Sequence, residues 1–152
     1  MTKYLIDTNI ILRFCNKDDV QHKIALDSIK YLARQGDICF LTAQVLIEFW
    51  VVATRPIEVN GLGWSVDFTT DMIENLLGQF PFLEDSPDVF SNWLMLVKQY
   101  QVKGKRTHDI RLVGMMQACG VSHLLTLNPK DFGTIADISI VHPRDLGFQL
   151  GS

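Results

Sequence analysis

Several acidic residues stand where a carboxylate is costly or conspicuous. Asp7 interrupts the apolar run that begins at Tyr4 and is followed by Thr8, Asn9 and Ile10. A carboxylate inside such a run must be hydrogen-bonded or bound to a cation. Glu48 lies within residues 45–52, where every other side chain is apolar; a helix apolar all round is buried, so Glu48 is expected to be buried or to line a cavity. Asp109 follows Thr107 near a helix start, and Thr126, Asn128 and Asp131 share the run Thr-Leu-Asn-Pro-Lys-Asp-Phe. Each has an ordinary alternative. Asp7 can cap a turn, Glu48 can pair with Arg55, Asp109 can complement a helix dipole, and an Asx before proline forms turns. Carboxylates that converge repel one another unless a cation sits among them. Hard oxygen donors without Cys or His suit Mg²⁺ or Mn²⁺. A water activated by such an ion attacks a phosphodiester.

These groups need elements to position them. Short apolar strands are predicted at 3–6, 38–41, 124–127 and 138–141, with a minor one at 80–83. Between them fall helices: one capped by Asp18 or Asp19 and running to about Arg34, with Gly36 as its stop; one over 43–53 capped by Thr42 and ended by Arg55-Pro56; and one from a Ser65 cap to about Gln79. Ser86-Pro87 starts another, carrying Trp93, Leu94, Val97 and Tyr100 inward, and Gly104 breaks it. Thr107 caps the last, which ends at Gly120. Residues 57–64 read as a mobile loop. Ile73, Leu76 and Leu77 are expected inside, with Met115, Met116 and Trp64 in the core. Strands apolar throughout, alternating with helices, predict an α/β fold: a three-layer α/β/α sandwich around a central parallel sheet. Ligands of such sheets bind outside the carboxyl ends of the strands, where all the acids above are expected.

The chain has 152 residues, 47% of them hydrophobic and 20% charged. That is one domain with a sufficient core, expected over 1–146 with a short tail at 147–152, and neither a disordered nor a disulfide-scaffold protein. No run reaches the ~18 apolar residues of a membrane helix, and no signal peptide is recognisable. Three scattered cysteines, Cys15, Cys39 and Cys119, fit a reduced, cytoplasmic chain. His22, His123 and His142 carry no catalytic spacing. The net charge of -3 does not announce nucleic-acid binding, yet Lys98, Lys103, Lys105, Arg106 and Arg111 cluster around His108. That cluster is either a solvated helix end or a phosphate-backbone grip.

Four segments, Leu-Ile-Asp-Thr-Asn-Ile-Ile at 5–11, Glu48 in its apolar helix, Thr-His-Asp-Ile-Arg-Leu-Val at 107–113 and Leu-Thr-Leu-Asn-Pro-Lys-Asp-Phe at 125–132, together resemble the PIN-domain nucleases. Within that family they are similar to the VapC toxins of bacterial VapBC toxin–antitoxin pairs. The resemblance runs from Tyr4 to about Pro143. It implies a metal-dependent endoribonuclease in which Asp7, Glu48 and Asp109 bind Mg²⁺ or Mn²⁺, with Asn128 or Asp131 at the position of a fourth acid. It implies that Thr8, Asn9 and Thr126 hydrogen-bond the ligands, that Arg55, Lys103, Lys105, Arg106 and Arg111 face the RNA, and that Trp64 is packed or stacks on a base. An antitoxin partner and a homodimer are implied as well. Two rivals stand beside it. One is a nucleic-acid-binding module of the same fold without turnover. The other is a haloacid-dehalogenase-like phosphatase, whose chemistry wants a second Asp two residues after the first, where this chain has Asn9.

Overall fold

A computed structural model describes residues 1–148. Five parallel strands, β1 (Lys3–Ile6), β2 (Ile38–Thr42), β3 (Phe82–Leu83), β4 (His123–Leu125) and β5 (Ser139–Val141), form one sheet in the order β3-β2-β1-β4-β5. Six α-helices surround it: α1 (Thr8–Cys15), α2 (His22–Arg34), α3 (Ala43–Thr54), α4 (Val66–Gln79), α5 (Asp88–Gln99) and α6 (Arg106–Cys119). Successive strand residues point to opposite faces. Leu5 and Ile6 on β1, and Leu124 and Leu125 on β4, are all fully buried, so both faces of the sheet are covered. The α/β architecture with a central parallel sheet is thus as expected. The last four residues of the expected tail, 149–152, lie outside the described residues.

The strand order positions the site. From β1 the chain steps outward through β2 to β3, then returns to the other side of β1 for β4 and β5. The reversal falls between β1 and β4, and their carboxyl ends open the crevice where α/β sheets bind ligands. Asp7 and Thr126 leave the sheet at that point. The Asp7 amide still donates to the Leu125 carbonyl at 3.0 Å, and the Thr126 amide to the Val141 carbonyl at 2.9 Å.

Several local expectations are corrected. Helix α1 was not foreseen; its apolar residues Ile10 and Ile11 are fully buried beneath α2 and α3. Helix α2 begins at His22 rather than after Asp18 or Asp19, because Asp19 is spent on the preceding turn, its carboxylate accepting from the Gln21 amide at 2.8 Å and its carbonyl from the His22 amide at 3.0 Å. Strand β4 stops at Leu125, not 127, once Thr126 turns its hydroxyl to Asp7. Helix α6 begins at Arg106, and Thr107 does not cap it: its hydroxyl donates to the Gly104 carbonyl at 2.6 Å. Leu77 and Leu94 are exposed rather than internal.

The 57–64 loop is tied down. The amides of Leu62 and Trp64 donate to the carbonyls of Val52 and Ala53, and Gly61 and Gly63 donate to Pro56 and Arg55. Gly61 is required there, since a Cβ would lie 1.8 Å from the Arg55 carbonyl oxygen. Trp64 packs between the rings of Phe49 and Phe68. Met115 and Met116 are in the core.

Candidate functional site

Asp7 is the N-cap of α1 and 8% exposed. Its Oδ1 accepts from the Thr8 amide at 2.8 Å, and its Oδ2 from the Thr126 hydroxyl at 2.8 Å and from Asn9 Nδ2 at 3.3 Å. The capping alternative is therefore real, but it uses one oxygen only. Asn9 locks the crevice from both ends: its Nδ2 also donates to Thr126 Oγ1 at 3.1 Å, and its Oδ1 accepts from the Leu127 amide at 3.0 Å. The Asp7 carboxyl is raised to about 6, chiefly by burial and further by the charges of Glu48 and Asp131, with the bonds from Thr126 and Thr8 opposing the rise.

Glu48 rises from α3, whose first turn is capped by Thr42 accepting from the Val45 amide at 3.3 Å. Among the described residues, no base pairs with it. The Thr8 hydroxyl lies 3.0 Å from Glu48 Oε2 and 3.3 Å from the Val45 carbonyl, and Gln44 Nε2 donates to Glu48 Oε1 at 3.1 Å. The expected alternative pairing with Arg55 does not form; Arg55 donates to the Asn60 carbonyl at 2.9 Å, on the tied-down loop. Thr8 thus touches both Asp7, through its amide, and Glu48, through its side chain.

Gln44 supplies the third connection, and composition gave no signal for it. Its Nε2 also donates to the His108 carbonyl at 2.7 Å, one residue before Asp109, while its Oε1 accepts from Arg111 at 3.0 Å. One amide therefore joins α3 to the first turn of α6. Asp109 is half-buried in that turn. Its carboxyl is raised to about 6, first by burial and then by the charges of Asp7, Asp131 and Glu48, against the pull of His108. The signal available in the sequence was position alone: Gln44 sits one helical turn before Glu48 on the same face.

The fourth position divides. Asp131 is exposed, yet its charge is felt by both Asp7 and Asp109. Asn128 is exposed too and bonds through its backbone: its amide donates to Thr126 Oγ1 at 3.1 Å and its carbonyl accepts from the Asp131 amide. Among the described residues, none of the four acids stands in an ion pair, and no three His, Cys, Asp or Glu side chains close into a tight ligand group. The cleft is an open, oxygen-only set of mutually repelling carboxylates, of which Asp7 and Glu48 are held by neutral donors. That donor set fits a hard divalent cation and does not fit zinc.

The basic residues separate by place. Lys103, Lys105 and Arg106 are exposed on the turn entering α6, and Arg106 Nε donates to the Asp131 carbonyl at 3.1 Å, which sets its cation at the rim of the cleft. Arg111 is committed inward to Gln44 and, at 3.3 Å, to Asp85. A separate apolar groove of about 610 Å³ lies between α3 and α4, where Ile47, Trp50, Val51 and Leu77 line it.

No protein-family model and no curated protein matches the chain. Solved structures do. A chain of the VapBC2 complex from Rickettsia felis, bound to a DNA fragment from its promoter, superposes with a TM-score of 0.69 at 16% identity, over 93% of this chain and 98% of that one. The fold here is the PIN-domain fold. Other PIN-fold matches include DNA-bound VapBC from Salmonella typhimurium, at TM-score 0.64 and 17% identity over 94% and 99% of the two chains. VapC20 of Mycobacterium tuberculosis, a toxin that cleaves the sarcin-ricin loop, matches at 0.56 and 16% over 80% and 86%. Among the described residues of this PIN fold, no helix is long and apolar enough to cross a membrane.

Proposed function

We propose that this chain is a metal-dependent endoribonuclease and the toxin half of a toxin–antitoxin pair. The observation that carries the reading is the crevice itself, where Thr8 bridges Asp7 to Glu48, Gln44 links Glu48 to the turn of Asp109, and among the described residues no base pairs with any of these acids. A protein gains nothing in stability from such a cluster; a site that must receive a cation needs it. The neighbours that are toxins, one of them cleaving the sarcin-ricin loop, support the same reading.

Asp7, Glu48 and Asp109 would hold Mg²⁺ or Mn²⁺, with Asp131 preferred to Asn128 as the outer acid because it alone of the two brings charge. A cation there supplies a Lewis acid that lowers the pKa of water and offsets charge on the scissile phosphate. The chain's own residues do the rest. Thr126 and the Thr8 amide fix both Asp7 oxygens, so that carboxylate enters the reaction already oriented. Thr8 and Gln44 do the same for Glu48. Lys103, Lys105 and Arg106 grip the RNA backbone beside the cleft and carry no sequence preference themselves. Arg111 acts one step back, through Gln44, and Arg55 on the folded loop is a weaker candidate for RNA than its sequence position implied. The groove between α3 and α4 is the surface an antitoxin segment with apolar side chains would cover. A homodimer and a cytoplasmic location belong to the same reading.

The test is cleavage of a mixed RNA pool by the wild type with Mg²⁺ or Mn²⁺, the same with EDTA, and Asp7→Asn. Cleavage confined to the metal-loaded wild type supports the proposal. Equal cleavage in all three removes it. Tight RNA binding without metal-dependent turnover favours instead the binding-module reading, to which the open spacing of the acids lends support.

A further inference from the structure

One pocket beside the acidic cleft has no part in the proposed chemistry. It lies between α5 and α6, has a volume of about 310 Å³, and is lined by Phe90, Trp93, Thr107, His108 and Arg111. His108 immediately precedes Asp109, so the pocket opens one residue from the candidate cleavage site. Its character differs from the wholly apolar groove between α3 and α4. Two aromatic rings, Phe90 and Trp93, stand 5.6 Å apart with their planes 34° from parallel. An imidazole and a guanidinium complete the wall.

The two rings have different freedom. The indole of Trp93 is anchored, its Nε1 donating to the Thr107 carbonyl at 2.7 Å. Its backbone is packed hard against α6, where a Cβ on Gly114 would come within 3.2 Å of the Trp93 nitrogen. The ring is therefore a fixed wall. Phe90, by contrast, is 67% exposed. An exposed phenyl beside an anchored indole presents a flat aromatic surface on which another flat group can stack. Arg111 is held on the far side by Gln44 and Asp85, so its guanidinium is an oriented plane rather than a free chain.

We propose that this pocket is a nucleobase subsite, which takes one unpaired base of the RNA next to the scissile phosphate. The inference rests on the ribonuclease reading above and deepens it: the substrate is single-stranded at the cut, because a base must leave its helix to enter. Base–aromatic stacking tolerates any base, whereas the polar edge given by His108 and Arg111 adds preference among bases. The phosphate following that base then passes Asp109, and the next ones reach Lys105 and Arg106. A second copy of this chain is the other occupant an exposed phenylalanine could suit. The polar edge formed by His108 and Arg111, and the place of His108 next to Asp109, favour the nucleic acid.

The test uses the full chain in EDTA, so that binding is read without cleavage, and a short single-stranded RNA of mixed sequence beside a blunt RNA duplex. Phe90 is exposed, so Phe90→Ala leaves the fold intact, as far-UV circular dichroism checks. Phe90→Ala is expected to weaken single-strand binding roughly 5- to 150-fold, the worth of one stacked base, and to leave duplex binding within about twofold. Phe90→Tyr restores the affinity, and Phe90→Leu does not, since a leucine offers area without a ring face. With metal present, Phe90→Ala also broadens the choice of base beside the cut. Unchanged single-strand affinity in Phe90→Ala, in a wild type that cleaves RNA with metal, overturns the subsite and leaves the ribonuclease standing. A wild type that neither binds RNA in EDTA nor cleaves it with metal overturns both. Conversion of a dimer to a monomer by Phe90→Ala, with affinity per protomer unchanged, assigns the pocket to a second copy and overturns the proposal.

Discussion

With no divalent cation present, Asp7→Asn stabilises the fold at neutral pH and loses that advantage in acid. Burial, with the charges of Glu48 and Asp131, lifts the Asp7 carboxyl from its ordinary 3.8 to about 6, against the opposing bonds from Thr126 and Thr8. In the unfolded chain the same group releases its proton near the ordinary value. Between the two values the folded state therefore holds more proton than the unfolded state. Stability from the protonated carboxyl is complete below about pH 3.8 and is lost as pH rises through about 6. At ~1.4 kcal/mol per pKa unit the whole loss is about 3 kcal/mol, of which about 2 kcal/mol falls between about pH 4.5 and 7.5. Asparagine has no charge to desolvate. Its amide must still face donors from Thr8, Thr126 and Asn9, and one mismatched donor costs about 1 kcal/mol. The variant should thus gain about 1–2 kcal/mol on the wild type near pH 7.5 and nothing near pH 4.5. Relief of Asp109, which Asp7 helps to raise, adds in the same direction. His142, lowered by burial and by Arg144, slopes the other way but does so in both proteins and cancels in the difference. Urea unfolding in EDTA at the two pH values, followed by tryptophan fluorescence, measures this. Added Mg²⁺ then reverses the order, because only the wild type gains RT ln(1 + [L]/Kd), about 2.7 kcal/mol at a hundred times Kd. Stabilities that run parallel for the two proteins across this window, or a wild type that gains on the variant as pH rises, would refute the argument.

Three further outcomes follow from particular contacts. Gln44→Leu removes one of the two side-chain donors to Glu48 and leaves Arg111 without its amide acceptor; Mn²⁺ affinity by calorimetry should fall about tenfold or more, and an unchanged affinity would show that Gln44 does not position Glu48. The double variant Lys103→Ala, Lys105→Ala should reduce the slope of log affinity against log salt for single-stranded RNA by about 1.4, or 0.7 per phosphate contact; an unaltered slope places both lysines outside the RNA path. Gly61→Ala forces its Cβ against the Arg55 carbonyl, and thermal unfolding should register a loss of about 2 kcal/mol or more; no loss would mean the 55–64 loop is not pinned as described.

The parts of the fold legible in the sequence were those fixed by local chemistry. Apolar runs of four or five residues separated by amphipathic segments could only be buried parallel strands, and Ser65 and Thr42 announced their helices because their hydroxyls have one obvious use. The failures share one cause, which is that a residue can satisfy its hydrogen bonds in more than one way. Thr107 and Asp19 have the chemistry of caps, yet each bonds a preceding or intervening turn instead. Helix α1 was hidden because an N-cap aspartate followed by an apolar stretch reads equally as a strand ending in a turn. Leu77 and Leu94 follow helical periodicity correctly for their helices, but periodicity does not say that a groove will be left open beside Leu77 or that Leu94 will face solvent. At the candidate site, the acids were noticed because each is anomalous where it stands. Gln44 was not, since a glutamine in the first turn of a helix is anomalous nowhere, and only the meeting of α3 with α6 gives it work.

That division explains why the cleft is held together as it is. Four carboxylates in one crevice need orientation, and the simplest device would be an arginine or lysine paired with each. A paired carboxylate, however, has already been given its positive charge, and a cation arriving later would have to displace a base. Here the donors that touch Asp7 and Glu48 are hydroxyls, amides and a backbone N–H, all neutral. They set geometry while leaving the negative charge uncompensated. Arg111 reaches Glu48 only through the dipole of Gln44 and spends its charge on Asp85 at the surface, and Arg106 meets Asp131 at its backbone carbonyl rather than its carboxylate. Replacing Gln44 with glutamate would keep an acceptor for Arg111 but bring a fifth carboxylate beside Glu48. Replacing it with lysine would neutralise Glu48 directly. By the reasoning above, the lysine variant should be the more stable of the two without metal and the poorer binder of Mn²⁺, so stability and affinity must move in opposite directions at this position.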